Sequence, residues 1–257
     1  MTRHPDYSRR QAMVLASSGL LLSACGVKGD KVSGALRVGS TATGAPFSFL
    51  DIETNSLVGA MIDIAHAVAA DAGLSIAVET TAFSALVPSL TAKKIDLVAA
   101  GILRTAEREK VVAFSAPVYA YGGAVMVRKD DGRAPQNLAG LKGATVGAQV
   151  GTRFVAQLGE AGVTQVKTYD NLADALRDLQ GGRLDAVYGD APLMAYRLRT
   201  TPDLPLRLVA SFTPPSKEDV CLLVRKEDTA LLRKLNASIG RIKSTEIAAI
   251  IAKWGLS

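Results

Sequence analysis

Two five-residue stretches, Lys94-Ile95-Asp96-Leu97-Val98 and Arg183-Leu184-Asp185-Ala186-Val187, repeat one plan at two places in a 257-residue chain. Each follows an amphipathic helical pattern. Each reads as an apolar strand and leads to a glycine, Gly101 in the first case and Gly189 in the second. Strands apolar on both faces belong inside a sheet that is covered by helices. The repeat therefore predicts two α/β lobes of similar plan. In open α/β sheets ligands sit beyond the carboxyl ends of strands. That rule points to Ala100–Arg108 in one lobe and to Asp190 in the other.

The rest of the chain alternates in the same way. Met61, Ile64, Ala65, Val68 and Ala72 recur at helical spacing, and Gly73 stops the run, so a helix is predicted over 59–72. A second stripe, Leu172, Ala175, Leu176 and Leu179, predicts a helix capped by Asp170 or Asn171 and stopped by Gly181. Further helices are expected over 85–92, 151–158, 191–198, 228–242 and 244–253. Strands are expected over 35–39, 75–79, 95–100, 111–114, 124–127, 144–148, 165–168, 184–189, 206–210 and 220–224. Alternating strands and helices make an α/β fold with mainly parallel sheets.

The N-terminus obeys different rules. Arg3, Arg9 and Arg10 precede an apolar run from Ala12 to Leu22, which ends in Ser23, Ala24 and Cys25. A charged start, a short apolar run and small residues make a secretory signal. The run is shorter than the roughly 20 apolar residues that cross a bilayer. Leu22-Ser23-Ala24-Cys25 resembles the bacterial lipobox. That resemblance implies cleavage before Cys25, a lipid on its thiol, and a membrane-anchored protein facing the periplasm or cell exterior. Ser8-Arg9-Arg10-Gln11 also resembles the twin-arginine export signal, although Ala12 stands where a large apolar residue is expected. Residues 1–24 are thus read as signal peptide and 25–34, Gly-rich and polar, as a flexible tether.

Composition narrows the function. Two cysteines are present, so lipidation of Cys25 leaves Cys221 alone in an apolar strand pattern, where it reads as an inert core thiol. After the signal only His66 remains as histidine, on the polar face of its helix. A Cys/His metal site and a Ser-His-Asp triad are therefore not expected, nor is any cofactor. The net charge of +6 is spread without blocks of one sign, so no nucleic-acid tail is expected.

Motifs in order along the chain then carry a resemblance. They are Leu36-Arg37-Val38-Gly39, Ala45-Pro46-Phe47-Ser48-Phe49, and Leu57-Val58-Gly59 with Asp63. Leu86-Val87-Pro88-Ser89-Leu90 runs into Lys94-Ile95-Asp96-Leu97, and Glu107-Arg108 precedes Phe114-Ser115-Ala116-Pro117-Val118-Tyr119. Gly151-Thr152, Asp185-Ala186-Val187 with Asp190, and Lys253-Trp254-Gly255 complete the set. From residue 35 onward the chain resembles the bacterial extracellular solute-binding proteins of family 3, the amino-acid-binding components of ABC importers. The resemblance implies a two-lobed periplasmic-binding-protein fold of type II with the ligand cleft between lobes. It implies a first lobe of 35–124 and 216–257, a second of 125–215, and crossings near Gly123–Met126 and Phe212–Glu218. It also implies a monomer that delivers its ligand to an ABC permease.

The same resemblance nominates Thr41, Phe83, Gly101, Leu103, Arg108, Gly151, Thr152 and Asp190 as ligand-binding residues. Arg108 offers a planar fork suited to a carboxylate; the local alternative is an ion pair with Glu107 or Glu109. Gly151-Thr152 opens a helix whose free N–H groups suit an anion. Asp190 matches the acceptor of a ligand ammonium, and it also sits where it could cap a helix. Phe83 would pack on the ligand or simply in the core. Three positions depart from the family's habit. Thr41 stands where an acidic residue is common, Gly44 where an aromatic is common, and Leu103 where a hydroxyl is usual. Arg104 has no assigned role. An enzyme of the same fold, a dehydratase of prephenate-like acids, is one rival; it would need a carboxylate shortly after Asp190, where Pro192, Leu193 and Met194 stand. A free binder that serves a sensor receptor is the other.

Overall fold

A computed structural model describes residues 34–256. The signal peptide, Cys25 and the tether up to residue 33 lie outside the described residues. The first part of the chain forms β1 (Leu36–Ser40), β2 (Thr43–Gly44), β3 (Ser48–Asp51), β4 (Ser56–Val58), α1 (Ala60–Asp71) and β5 (Ile76–Thr80). It continues through α2 (Leu86–Thr91), β6 (Leu97–Val98), α3 (Ala106–Glu109) and β7 (Val112–Phe114). The long strand β8 (Tyr119–Arg128) leads into β9 (Val146–Gln149), α4 (Arg153–Glu160), β10 (Val166–Tyr169), α5 (Leu172–Gln180) and β11 (Ala186–Asp190). Then come α6 (Ala191–Thr200), β12 (Leu206–Leu208), β13 (Lys217–Val220), β14 (Leu223–Arg225), α7 (Thr229–Ile242) and α8 (Ala248–Lys253).

Two sheets organise these elements. One has the order β5-β1-β6-β14-β7 and the other β10-β9-β11-β8-β12. The βαβ half of each sheet is parallel: β1 lies between β5 and β6, and β9 between β10 and β11. The other half is antiparallel, because β14, β8 and β12 enter from the chain's crossings between the sheets. The echoed stretches occupy equivalent places. Leu97–Val98 pairs with the first βαβ unit's leading strand, and Ala186–Val187 pairs with the second's.

β8 joins the two sheets. Its start, Tyr119–Gly122, pairs with Val220–Lys217 of β13, while Gly123–Met126 already pairs with β11. The first crossing therefore falls about four residues before the expected position. The expected strand over 220–224 is also two strands. Val220 pairs in the crossing ribbon, Cys221 and Leu222 lie between the two strands, and Leu223 pairs with Val98 and Phe114.

The stripes read from sequence are buried. Met61, Ile64, Ala65 and Val68 of α1 are solvent-free, and His66 is exposed. Leu172, Ala175, Leu176 and Leu179 of α5 are buried, with Asn171 as the cap accepting from the Asp174 N–H at 3.0 Å. Two stretches of the family pattern meet at the C-terminus: Asp63 accepts from Lys253 Nζ and from Trp254 Nε1, both at 2.8 Å. Among the described residues no helix is long and apolar enough to cross a membrane.

Candidate functional site

The cavity between the two sheets begins at their strand ends, where the sequence rule placed it. β1 runs out into Thr41, β6 into Gly101, β9 ends on Gln149 and β11 ends on Asp190. These four line a tight space in the closed cleft. Thr43 and Gly44 of the small β2–β3–β4 sheet form one wall with Phe47; Phe83 and Leu193 close the others. Gly101 is required by its neighbour. A Cβ there would stand 2.5 Å from a ring carbon of Phe47, a distance that only a shift of the aromatic could relieve.

Asp190 is 7% exposed. Burial pushes its carboxyl pKa up to about 6. As the cap position of α6 it makes no capping bond, so the local alternative read from sequence is not used. Its Oδ1 instead accepts from the Tyr121 hydroxyl. Tyr121 lies 2.9 Å from the Gly101 carbonyl as well. One hydroxyl has one proton and cannot donate fully to both acceptors. A protonated Asp190 resolves the conflict by donating to Tyr121, which then donates to Gly101.

Arg108 stands on α3, whose cap Thr105 accepts from the Arg108 N–H at 3.3 Å. Its guanidinium donates to the Leu103 carbonyl at 2.6 Å and to the Gly151 carbonyl at 2.8 Å. It lies 5.9 Å from the centre of the Phe83 ring. Desolvation lowers its pKa, opposed by the charges of Tyr121 and Asp190. Neither Glu107 nor Glu109 pairs with it; Glu109 lies 3.6 Å from Arg104 instead. Among the described residues Arg108 has no carboxylate partner, so it is a partly buried cation held only by backbone carbonyls.

The contact from Arg108 to Gly151 spans the two sheets, and it shuts the cleft. Gly151 has φ +76°, and a Cβ there would lie 3.2 Å from Ser84 across the cleft. Glycine supplies both the left-handed conformation and the close approach. Thr152 directs its hydroxyl to the Gln149 carbonyl at 2.7 Å and does not line the cavity. Leu103 is buried and bridges to Val220, offering the site only its carbonyl. So the cavity gathers Thr41, Phe83, Gly101 and Asp190; Arg108 and Gly151 meet outside that lining, with Arg108 over the Phe83 ring. Leu103 and Thr152 stand behind these.

Tyr121, Gln149 and Phe47 were not nominated from sequence. Gln149 ends β9, one residue past the expected strand, and the strand-end rule would have found it. Phe47 stacks on Tyr121 with ring centres 5.3 Å apart; no local pattern marks Tyr121, which lies inside β8. Arg104, unassigned from sequence, braces the crossing. It donates to the Ser115 carbonyl at 2.7 Å and covers the Phe114 ring at 5.5 Å, away from the cavity.

Two α/β lobes that close over a small, partly charged cavity define a ligand-capturing protein of the periplasmic-binding class. The chain belongs to the bacterial extracellular solute-binding proteins, family 3, whose model matches residues 36–257. It is 33% identical over 213 residues to ABC transporter arginine-binding protein 1 of Escherichia coli (strain K12), covering 81% of this chain and 85% of that one. A solved ancestral arginine-binding protein bound to glutamine is 36% identical with a TM-score of 0.79, covering 86% of this chain and 97% of the other. An ancestral amino acid-binding protein described as a precursor of cyclohexadienyl dehydratase is 30% identical with a TM-score of 0.77, covering 86% and 95%.

Proposed function

We propose that the chain is the substrate-binding component of an ABC importer, which captures an amino acid by lobe closure and hands it to a membrane permease. One observation carries the reading: Arg108 and Asp190 are opposite charges beside one cavity, and neither has an ionic partner among the described residues. A buried unpaired charge is costly in a folded protein. A zwitterion relieves both costs at once, its carboxylate on Arg108 and its ammonium on Asp190. The names of the relatives support the same class of ligand. The lobes comprise residues 35–124 with 216–257, and 125–215, and the β8–β13 ribbon is the hinge between them.

Binding to the closed form shifts the open–closed population by the ligand's differential affinity. At a free concentration of about 100 times Kd the native state gains about 2.7 kcal/mol. For a chain of this size that raises Tm by roughly 5–10 °C. Small-angle scattering should show compaction at the same concentration. An unchanged radius with saturated binding would rule out closure.

The protein is a monomer anchored by a lipid on Cys25, as the lipobox residues Leu22-Ser23-Ala24-Cys25 support. Cys25→Ala is expected to release the protein from membranes without changing the melting temperature of the released form. The anchor is refuted if the variant still pellets with membranes and labelled fatty acid never enters the wild type. The role is binding and not catalysis. Asp190 is the single carboxylate of the described cavity lining, and it is assigned to the ligand ammonium. Turnover of an arogenate-type acid by the purified protein would reverse this assignment.

A further inference from the structure

We infer that the cavity selects an α-amino acid whose side chain is uncharged and carries a hydrogen-bond donor, and that it rejects arginine and lysine. The inference rests on the binding role proposed above and names the ligand class for that site.

Charge balance carries it. The lining holds one anion, Asp190, and one cation, Arg108, stands over the Phe83 ring of the lining. These match the α-carboxylate and α-ammonium of an amino acid and leave nothing over. The walls that remain for a side chain are neutral: the hydroxyls of Thr41 and Thr43, the amide of Gln149, and the Phe47 and Phe83 rings. A guanidinium or ammonium on the ligand side chain would lose its water there without meeting a carboxylate.

Hydrogen bonding sets the preferred side chain. Gln149 is 8% exposed. It donates through Nε2 to the Asp170 carbonyl at 3.0 Å. That bond fixes the amide, and its Oε1 has no partner among the described residues. A ligand hydroxyl or carboxamide can donate to that free acceptor. Thr41 is tied to Ser48, 2.9 Å away; where Ser48 donates, the Thr41 hydroxyl keeps its proton to donate into the cavity, and where Thr41 donates, it keeps lone pairs to accept.

A longer side chain finds no cation seat further out. A second cavity shares Thr43 and Leu193 with the first. Leu172, Leu176 and Tyr196 line it together with Arg197, and none of its lining residues is acidic. An amino acid long enough to leave the first cavity therefore meets apolar walls and a positive charge. The chain is similar to arginine-binding proteins over most of its length, yet its own lining has no carboxylate besides Asp190 to meet a guanidinium.

The test uses protein unfolded in guanidinium, dialysed free of any carried ligand and refolded. Calorimetry is then run with each standard L-amino acid. The tightest ligand is expected among glutamine, asparagine, serine and threonine. Arginine and lysine are expected to bind at least about 30-fold more weakly, the scale of one unpaired buried charge. A tightest ligand that is cationic, acidic or purely apolar overturns the inference and leaves amino-acid binding standing. Binding of none of them overturns the functional reading itself. Thr41→Asp places a carboxylate on the neutral wall. In a variant with an unchanged circular dichroism spectrum, it should raise arginine affinity by about 30-fold or more and weaken glutamine. A folded T41D variant with unchanged arginine affinity also overturns the inference; if T41D does not fold, the wild-type panel decides.

Discussion

Arg108→Ala is expected to weaken amino-acid binding by roughly 30- to several-thousand-fold, or about 2–5 kcal/mol. The guanidinium is held in place by the Leu103 and Gly151 carbonyls, so its remaining N–H groups are oriented before the ligand arrives. Removing it strips a desolvated carboxylate of its only cation. It also removes a bond that closes the cleft, so part of the loss would come from a more open resting state. Arg108→Lys separates the two contributions. Lysine keeps the charge but has neither the planar fork nor the reach to two carbonyls. Its affinity should fall between wild type and alanine, and scattering without ligand should resemble that of the alanine variant. Calorimetry with the wild type's tightest ligand reads both. Binding of Arg108→Ala within threefold of wild type would remove the carboxylate role.

The fold was legible where packing is periodic. The stripes of α1 and α5 face the core because a helix that covers a sheet must repeat its apolar residues every three or four positions. Element ends were legible only to within a few residues. Val220–Val224 is an unbroken apolar run, and nothing in its composition shows that Val220 belongs to the crossing ribbon and Leu223 to a sheet. The sheet of β2, β3 and β4 was not expected either. Its strands are two to four residues long, too short for an alternation to register. The candidate site was legible where the strand-end rule applies, at Gly101 and Asp190. Thr41, Phe83, Arg108 and Gly151 came only through resemblance, since an arginine between two glutamates reads locally as a surface ion pair. The partner that decides Asp190's behaviour, Tyr121, is brought to it by an antiparallel pairing of strands far apart in the chain, and such pairings leave no local trace.

Asp190→Asn is expected to stabilise the empty protein and to weaken its ligand, two effects of opposite sign from one substitution. The folded-state pKa of about 6 lies above the ordinary carboxyl range, chiefly through burial. The folded protein therefore holds the Asp190 proton more tightly than the unfolded chain does. Its stability should be highest below about pH 4 as far as this group is concerned, fall as pH rises through the window to about 6, and stay lower above it. The difference is about 3 kcal/mol. Asparagine is neutral at every pH and can still accept from Tyr121. It should raise the Tm of ligand-free protein at pH 7 by roughly 5–10 °C and flatten the fall between pH 4 and 6. An ammonium ligand reverses the account, because it favours the ionised form. Wild-type affinity for an amino acid should drop as pH falls below about 6, and binding near that pH should release a proton, seen as buffer-dependent calorimetric heats. Asp190→Asn should lose about 2–5 kcal/mol of binding to the amino acid and bind its deaminated analogue as well as wild type does. A variant that is less stable when empty and weakens both ligands equally would make Asp190 a structural group, and the zwitterion would no longer describe the ligand.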